Sequence, residues 1–599
     1  MKNFSFAIIG GGLTGTAMLY HLATKLKQNA GKCGAFLPKI TIQVVEKTNE
    51  FGPGYPFSAK QALPIHLISM CAQDMGIVAG NPEDFIKWLH SNWTKLRRRI
   101  PDLSAEHSKP VLGNGNCDFY PRIVMGKYLK ARFNEAVEII QKLGLQVDLY
   151  PENEVIALAN TNIGIQLTLR SVRSGGTHKI NASRILLATG HWTVEPTSRV
   201  EAEGIAAGNY FMSPWPAGKL LEKIAPGEHV AVLGTSLSAC DAVLTLLSDG
   251  KFARNKNGAI KYIPSNAPRK VTLYSRHGLL PKVHGRMGLY QNVYFTRENI
   301  DRLLTANNKF LGLEKVFSLL NADLEAAYGH PINWQEVMAP KKSPTEIMES
   351  AIREAQKGDG LHGELLWQTV LHQSFAMLRH LYLNLAPQDR QHFDRQLSTL
   401  FFCYAATLPP VIAQKLITLM KAGLVNVVKL GSEYSLSREN ASGGFEFIYL
   451  DDNGLERKDF YNYVVNATGQ KTSFETCPAE LAKNLLRSGL VQIEELAYDT
   501  VEAPRSRIDA KKRSLQKINM AENSQAQRYI YRTGAVWIDP ETQQVLSLGP
   551  DGNTAISSKL YAVGAMTRGQ IIDASMSYAS ALATADIAEQ VVDDLIKQS

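Results

Sequence analysis

The sequence of 599 residues lacks any apolar run of the roughly 18 residues that a membrane-spanning helix needs. Near the N-terminus, the apolar stretch that follows Lys2 is interrupted at Gly10, too early for a secretory signal peptide. We therefore expect a soluble, cytoplasmic protein that does not use a membrane as a partner.

Cysteine and metal-ligand motifs are also scarce. The six cysteines include no CxxC pair, which argues against a thioredoxin-type redox motif and a zinc ribbon, and a reducing compartment fits this usage. Cys240 is expected to be a small buried residue. Four histidines fall in a predicted helical region without an HxxxH or HExxH pattern, so we expect interhelical or surface histidines and no metal site. These are His362, His372, His380 and His392.

Charge is present but not concentrated. The net charge is +9 and the pI about 9.0, spread over the whole chain. The sharpest basic cluster, residues 95–100 beside Trp93, is typical of a solvated helix face rather than a nucleic-acid contact. We expect no nucleic-acid partner, and the positive balance suits a protein that binds phosphorylated cofactors.

A glycine-rich turn follows the first apolar stretch. Residues 4–10 predict a buried strand and residues 14–26 a helix, with Gly10, Gly12 and Gly15 between or at the start of the helix. Gly10 permits the tight turn, Gly12 lets the backbone approach a pyrophosphate, and Gly15 lets helix and strand pack. The unpaired N–H groups of the helix N-terminus would face the phosphates, so the stretch predicts a dinucleotide site of the Rossmann type.

The next predicted strand, residues 40–46, supplies the acid that this motif requires. Its last residue, Glu46, would accept hydrogen bonds from a ribose diol. The spacing exceeds the usual ~20 residues, and we attribute the excess to a polar loop insertion over residues 27–39.

A second, modified glycine motif begins at Gly234. Ser236 replaces the middle glycine and Ala239 the third. The following strand, residues 270–278, ends with Ser275 and Arg276 instead of an acid, which favours binding of a 2′-phosphate and hence NADPH over NADH. The alternative is a second dinucleotide-type fold that is empty or purely structural.

Three further strands complete the pattern. Residues 184–190 and 463–469 are apolar strands that end in ATG, and residues 557–564 form a C-terminal strand ending in glycine, followed by a small-residue helix over 577–592. The order predicts two dinucleotide-binding folds interleaved along one chain.

Several motifs resemble the FAD-NAD(P)-binding family of flavin oxidoreductases, which is related to N-hydroxylating and other class B flavin monooxygenases. They are "EKTNEFGPGYPFS" at 46–58, "LISMCAQDM" at 67–75, "DFYPRIVMGKYL" at 118–129 and "SRHGLLPKVH" at 275–284. The chain departs from the pattern at Ser69, where the family tends to have asparagine. It departs again at Ala565, where reductase-type flavoproteins have an aspartate, and nothing in the sequence shows that Asp573 substitutes for it.

The resemblance implies an α/β protein with two Rossmann-like folds, one for FAD and one for NADPH, and a largely α-helical insertion. It implies an FAD-dependent NADPH oxidoreductase. The resemblance favours a monooxygenase that uses dioxygen and a flavin hydroperoxide to oxygenate a small nucleophilic substrate. A flavin reductase or dehydrogenase without oxygenation, and a non-catalytic FAD-binding interaction protein, remain open.

The predicted domains follow from this order. The FAD-binding domain takes residues 1–210 and 530–599, the NAD(P)-binding domain 211–285 and 430–529, and the helical insertion 286–429. We expect the insertion to lie over the cofactor cleft, where it could shape a substrate pocket or contact a protein partner.

The candidate cofactor-binding residues are polar, small or phosphate-facing positions of these motifs, and no catalytic acid or base stands out. Arg122 is expected to pair with an FAD phosphate or a neighbouring carboxylate, and Gly52 and Gly54 to let backbone approach a flat ring. The full candidate set is Gly10, Gly12, Leu13, Thr14, Gly15, Glu46, Lys47, Gly54, Met75, Arg122, Thr189, Gly190, Gly234, Ser236, Arg276, Gly469 and Gly564.

Overall fold

The structure of this protein is a computed structural model, which describes most of the chain. The described residues are 4–33, 39–100, 103–113, 117–256, 258–288, 290–306, 310–338, 342–431, 433–439, 443–470, 472–498, 515–519, 527–549 and 553–598. Within the predicted polar loop at 27–39, the first helix continues to Gln28 and a short helix spans Ala30–Cys33, while residues 34–38 lie outside the described part.

The first sheet has six strands and contains both ends of the chain. In spatial order they are Gln544–Leu548, Thr554–Ala562, Arg184–Leu187, Phe4–Ile9, Ile40–Glu46 and Gln146–Pro151, all parallel except the first pair. The central strands are nearly continuous apolar runs because both faces of the sheet are covered.

Different elements cover the two faces of the first sheet. Helices Leu13–Gln28, Arg122–Lys142 and Ser577–Gln598 pack on one face. The opposite face packs against helix Glu480–Arg487 and a three-stranded antiparallel sheet. The strands of that sheet are Asn153–Thr161, Gly164–Ser171 and Thr177–Ala182.

The second sheet has five parallel strands. In spatial order they are Val425–Lys429, Lys270–Ser275, His229–Leu233, Tyr463–Asn466 and Tyr210–Phe211. Helices Ala217–Lys223, Leu237–Leu246 and Pro410–Lys421 contribute to the core on one face, and the antiparallel strands Tyr434–Arg438, Phe445–Leu450 and Glu456–Tyr461 cover the other. The two parallel sheets confirm the predicted α/β class with two Rossmann-like folds.

The described part of the predicted insertion is helical. Its helices are Arg297–Ala306, Leu313–Tyr328, Trp334–Met338, Pro344–Lys357, Leu366–Asn384, Pro387–His392 and Ser398–Ala405, with a π-helical turn at Phe393–Leu397. The helix that begins at Pro410 and the strand after it join the second sheet. We therefore propose that the insertion ends near residue 409, before the predicted limit of 429.

Smaller elements connect these layers. They are helices Gly54–Phe57, Asp84–Arg99, Leu103–Glu106 and Arg199–Ala207, the hairpin Lys251–Arg254 with Ile260–Ile263, and a third sheet of Ile493–Ala497, Gln527–Val536 and Leu515–Asn519. Helix Asp84–Arg99 exposes Lys95, Arg97, Arg98 and Arg99, as predicted for a solvated helix face, and it buries the neighbouring Trp93. Within the described ranges, no helix is both long enough and apolar enough to cross a membrane.

Stability should depend on pH through His21, which is buried between the first and last helices. Its Nδ1 lies 3.0 Å from the Thr584 hydroxyl and its Nε2 accepts the Ala79 N–H at 3.0 Å, so the ring is neutral. Burial lowers the pKa of His21 to about 4. The unfolded chain therefore binds a proton between pH 6.5 and 4 that the folded chain does not, and acidification destabilises the fold by about 3 kcal/mol through this group.

We expect His21→Gln to remove that part of the pH slope in chemical denaturation, whatever its effect on absolute stability. The exposed His178→Gln is the matched control and should keep the full slope. An unchanged slope in His21→Gln would contradict the assignment.

Candidate functional site

One large cavity, with a volume of about 1390 Å³, collects residues from both Rossmann-like folds and from the insertion. Pockets for drug-sized ligands occupy about 300–1,000 Å³, so this cavity has room for an extended dinucleotide. Most of the predicted site residues line it, namely Gly10, Gly12, Leu13, Thr14, Glu46, Lys47, Gly54, Met75, Arg122, Thr189, Gly190 and Gly564. The predicted residues outside its lining are Gly15, Gly234, Ser236, Arg276 and Gly469.

The glycine turn forms the cavity wall through backbone contacts that no side chain could enter. Gly10 has φ +109°, and a Cβ atom there would lie 2.2 Å from the Ala188 carbonyl oxygen. A Cβ on Gly15 would lie 1.9 Å from the Gly10 oxygen, which explains why Gly15 serves packing and not the cavity. Gly12 faces Gly54, with a Cβ at Gly12 only 3.1 Å from the Gly54 Cα atom. A side chain at position 12 would therefore press on the Gly54 loop, and with glycine there the backbone at this edge of the cavity stays open to a pyrophosphate.

Glu46 stands at the cavity edge with its carboxylate held by two backbone groups. Gly11 N–H donates to Oε2 and Thr48 N–H donates to Oε1, each at 2.8 Å. Each oxygen keeps a lone pair for a ribose hydroxyl, so the orientation suits the predicted role. Position 11 also requires glycine, because a Cβ there would meet the Phe51 ring at 2.7 Å. This requirement was not predicted from the sequence.

The loop around Pro53 differs from expectation at Gly52. A Cβ on Gly52 would lie 2.7 Å from backbone atoms of Lys130, so this glycine lets the loop pack on helix Arg122–Lys142 instead of approaching a ligand. Gly126 plays the matching part on that helix, where a Cβ would lie 2.2 Å from the Phe57 oxygen. Gly54 remains at the cavity, with φ +59° and Gly12 as its neighbour.

The C-terminal strand ends beside the first helix. Gly564 has φ +98°, and a Cβ there would lie 3.6 Å from the Thr14 hydroxyl oxygen, while Ala565 also lines the cavity. Asp573 does not replace the missing aspartate, because its buried carboxylate pairs with Arg379 at 3.1 Å and accepts the Tyr578 hydroxyl at 2.9 Å.

Arg122 takes the second of its two predicted partners, a carboxylate. Its Nη2 lies 2.6 Å from Oδ2 of the buried Asp241, and its Nε donates to the Leu67 carbonyl at 3.0 Å. Asp241 belongs to helix Leu237–Leu246 of the second fold, so this ion pair links the two Rossmann-like folds. Arg122 also lines the cavity, so the residue that pairs with Asp241 also borders the space that a ligand would occupy.

The second glycine motif adopts the same backbone form as the first. Gly234 has φ +114°, and a Cβ there would lie 2.4 Å from the Ala467 oxygen, while Ser236 is the N-cap residue of helix Leu237–Leu246. Residues next to these two turns reach the cavity: Leu237, which begins the helix after Ser236, and Gln470, which follows Gly469, both line it. The second motif therefore borders the cavity without lining it.

Arg276 lies at the end of its strand, exposed to solvent. Its Nη1 donates to the Arg395 carbonyl of the insertion at 3.3 Å. Ser275 beside it bonds to Thr235 at 3.0 Å and to the Gly278 N–H at 3.1 Å. An exposed guanidinium next to a glycine turn is suited to a phosphate that arrives from solution.

The cysteines depart from expectation. Cys71 and Cys117, 46 residues apart, form a disulfide with Cα atoms 5.0 Å apart, and Cys71 lines the cavity. The absence of CxxC excluded only disulfides between cysteines separated by two residues. A disulfide between cysteines this far apart in the sequence leaves no local signal. Cys240 is buried, as predicted.

His284 accompanies this disulfide in the cavity wall. Its Nε2 lies 3.7 Å from Cys71 Sγ and its Nδ1 lies 3.2 Å from the Thr407 hydroxyl. Burial, followed by the neighbouring His372, lowers the pKa of His284 to about 4. Among the described residues, Cys71, Cys117 and His284 are the one group close enough to hold a metal, and the two sulfurs are bonded to each other.

The insertion supplies part of the cavity wall, as expected. Phe375, Phe402 and Thr407 line it together with His372. His372 is exposed, as predicted for a surface histidine, and it also lines the cavity, whereas His380 pairs between helices with Asp301 at 2.9 Å. His362 and His392 are exposed.

Two basic residues of the cavity were missed from sequence. Burial lowers the pKa of Arg568, and burial followed by the charge of Arg568 lowers the pKa of His191 to about 4. Both line the cavity, and the Arg568 guanidinium lies over the Phe402 ring at 5.6 Å. A lone Arg after the C-terminal strand carries no motif, so only the fold reveals its position.

Comparison with known proteins agrees with this geometry. Residues 7–192 match the family model described as FAD-NAD(P)-binding, which confirms the predicted resemblance for this part of the chain. The uncharacterized protein YdhS of Escherichia coli (strain K12) is 23% identical over 489 residues, covering 78% of this chain and 83% of that protein.

Solved structures that resemble the chain include an ornithine hydroxylase and an L-lysine 6-monooxygenase. The reduced form of ornithine hydroxylase from Pseudomonas aeruginosa has 11% identity and a TM-score of 0.47, covering 100% of this chain and 99% of that one. L-lysine 6-monooxygenase from Pseudomonas syringae has 14% identity and a TM-score of 0.46, covering 99% of each.

Gly12→Val should remove bound FAD, because the added side chain would occupy the space between Gly12 and the Gly54 backbone. The ratio of flavin to protein absorbance in the purified protein measures this loss. Gly218→Ala, where nothing lies within 4 Å of the new Cβ, is the matched control and should keep the wild-type ratio. Equal flavin content in both variants would contradict the placement.

Proposed function

We propose that this protein is an FAD-dependent oxidoreductase that takes reducing equivalents from NADPH, and that it acts as a monooxygenase on a small nucleophilic substrate. The observation that carries the proposal is the cavity itself. It joins the glycine turn and Glu46 of the first fold to Leu237 and Gln470 of the second fold.

The first fold holds FAD in this proposal. Glu46 accepts the ribose hydroxyls, the helix that begins at Leu13 directs its free N–H groups at the pyrophosphate, and Gly12 and Gly54 keep side chains out of the way. When bound, FAD supplies the hydride-accepting and oxygen-activating chemistry. The backbone at Gly564 and Ala565 offers N–H groups where a reductase-type aspartate is missing.

The second fold receives NADPH in exchange with solution. Gly234 provides the tight turn, Ser236 offers a hydroxyl at the helix N-terminus, and Arg276 binds the 2′-phosphate. Leu237 at the helix N-terminus and Gln470 after the strand Tyr463–Asn466 line the shared cavity, so the nicotinamide end would extend towards them. An exposed Arg276 suits a cofactor that binds and leaves in each cycle.

The insertion encloses the remaining space with apolar side chains. Phe375, Phe402 and Met287 line the cavity and are partly buried, so a substrate packed against them would displace water from this part of it. Exclusion of water protects reactive oxygen intermediates from wasteful decay, which favours oxygenation over simple electron release. Arg568 and His191 are the polar groups best placed to orient such a substrate.

The test is anaerobic reduction of the FAD-loaded protein followed by admission of air. We expect NADPH to bleach the visible flavin absorption band faster than NADH does. With a small amine substrate, oxygen uptake should then yield oxygenated product in place of hydrogen peroxide. Failure of NADPH to bleach the band would overturn the oxidoreductase proposal. If every amine tried gives one hydrogen peroxide for each oxygen consumed, the protein is a reductase and the monooxygenase proposal is overturned.

Arg276→Ala should raise the KM for NADPH by about tenfold and leave the KM for NADH unchanged, because one charge-assisted phosphate contact is lost. Steady-state oxidation of both nucleotides measures the effect. The control is Arg254→Ala, which removes an exposed arginine of the hairpin whose Nη1 bonds to the Gly258 carbonyl at 3.0 Å. Equal changes for NADPH and NADH in Arg276→Ala would contradict the assigned phosphate contact.

A further inference from the structure

The Cys71–Cys117 disulfide occupies a position that a purely structural cross-link does not need. Cys71 lines the same cavity as Gly10, Met75 and Gly564, although it precedes an otherwise ordinary turn at Ala72–Asp74. Cys117 is a described residue and is not among those lining the cavity. One sulfur therefore belongs to a cavity-lining residue, and the other belongs to the neighbouring segment.

The two segments are held together without the disulfide. Backbone N–H groups of Ala72 and Ile68 donate to the carbonyls of Asp118 and Tyr120 at 2.8 and 2.9 Å. The Gln73 side chain also accepts the Asp118 N–H at 3.3 Å. These bonds flank the sulfur pair, so cleavage of the S–S bond leaves the two sulfurs adjacent and able to close again.

His284 is arranged to stabilise a thiolate at Cys71. A disulfide sulfur carries no hydrogen, so in the contact at 3.7 Å Nε2 is the donor and Nδ1 accepts the Thr407 hydroxyl at 3.2 Å. The ring edge packs against Phe119, with centroids 5.3 Å apart. Burial keeps this imidazole neutral near pH 7, because its pKa is lowered to about 4. A neutral Nε2–H next to sulfur favours the anion that bond cleavage produces.

We propose that Cys71–Cys117 is a redox-active disulfide that accepts two electrons from the reduced cofactor in the cavity, giving the protein a disulfide-reducing half-reaction besides oxygenation. The proposal rests on the proposed function in that FAD and NADPH must occupy their sites. Structural disulfides resist reduction, whereas the rare disulfides of reducing compartments are usually catalytic or redox-sensing.

The electrons and protons balance with NADPH as the reductant. NADPH gives a hydride, which is two electrons and one proton, and leaves as NADP⁺. The S–S bond breaks, Cys117 takes a proton, and Cys71 is released as a thiolate that the His284 Nε2–H stabilises until a second proton arrives from solvent. The sum is one NADPH, one proton and one disulfide converted to NADP⁺ and two thiols.

The test counts thiols rather than turnover. The FAD-loaded protein is treated anaerobically with NADPH, alkylated in denaturant, and the peptides containing Cys71 and Cys117 are identified by mass spectrometry. We expect both peptides to become alkylated with NADPH and to remain disulfide-linked without it. Cys477→Ser, which removes a free thiol that lines the same cavity, is the matched control and should give the same result.

The outcomes separate this inference from the proposed function. A flavin that NADPH bleaches while the Cys71–Cys117 peptide stays linked would overturn the inference and leave the oxidoreductase intact. Should NADPH fail to bleach the flavin, photoreduction of the flavin replaces it. If both cysteine peptides are then alkylated, the redox-active disulfide is supported although the proposed use of NADPH is wrong. If the peptides stay linked, the redox-active disulfide is wrong as well.

His284→Gln provides a second variant that spares both cysteines. It should slow the appearance of the Cys71 and Cys117 thiols relative to the rate of flavin bleaching in the same sample, while leaving the disulfide of the resting protein in place. Wild-type rates of thiol formation in this variant would contradict the part assigned to His284.

Discussion

The contact between the Gly10 carbonyl oxygen and the Cα of Gly15 is the constraint on which the site depends. A Cβ at Gly15 would lie 1.9 Å from that oxygen, so the first helix can start directly at the end of its strand only with glycine there. The position of the helix fixes Gly12 against Gly54 and places Thr14 opposite Gly564. Three distant parts of the chain are thus brought to one end of the first sheet, and the cavity wall follows from their contacts.

The second fold repeats this constraint and is joined to the first by a buried charge pair. Gly234 is held against Ala467 as Gly10 is held against Ala188. Arg122 and Asp241 link the two units, and an unpaired partner of such a buried pair costs about 3–5 kcal/mol. The insertion supplies the third part of the cavity wall, after the two folds. The result is one cavity lined by residues of both folds and of the insertion, in which our proposal places FAD, NADPH and the substrate.

Local sequence patterns predicted much of this arrangement. The glycine turns, Glu46 and the strand ends were accessible because a turn that needs glycine, or a strand buried on both faces, leaves a signature within a few residues. Contacts between segments that are far apart in the sequence leave no such local signature. Gly52, for example, was predicted to approach a ligand. Its actual contact is with Lys130, and that contact arises only when helix Arg122–Lys142 docks, so the local sequence could not reveal it. Cys71, Cys117, His284 and Thr407 come from separate segments, and Arg568 carries no motif of its own.

The central claim is that one cavity holds FAD and brings it next to Cys71 and His284. A crystal structure of the FAD-loaded protein tests it most directly. The account predicts the adenosine ribose at Glu46 and the isoalloxazine ring in the part of the cavity lined by Cys71, His284 and Thr407. A flavin ring directed away from these residues, or FAD bound at Gly234 instead of Gly12, would contradict it.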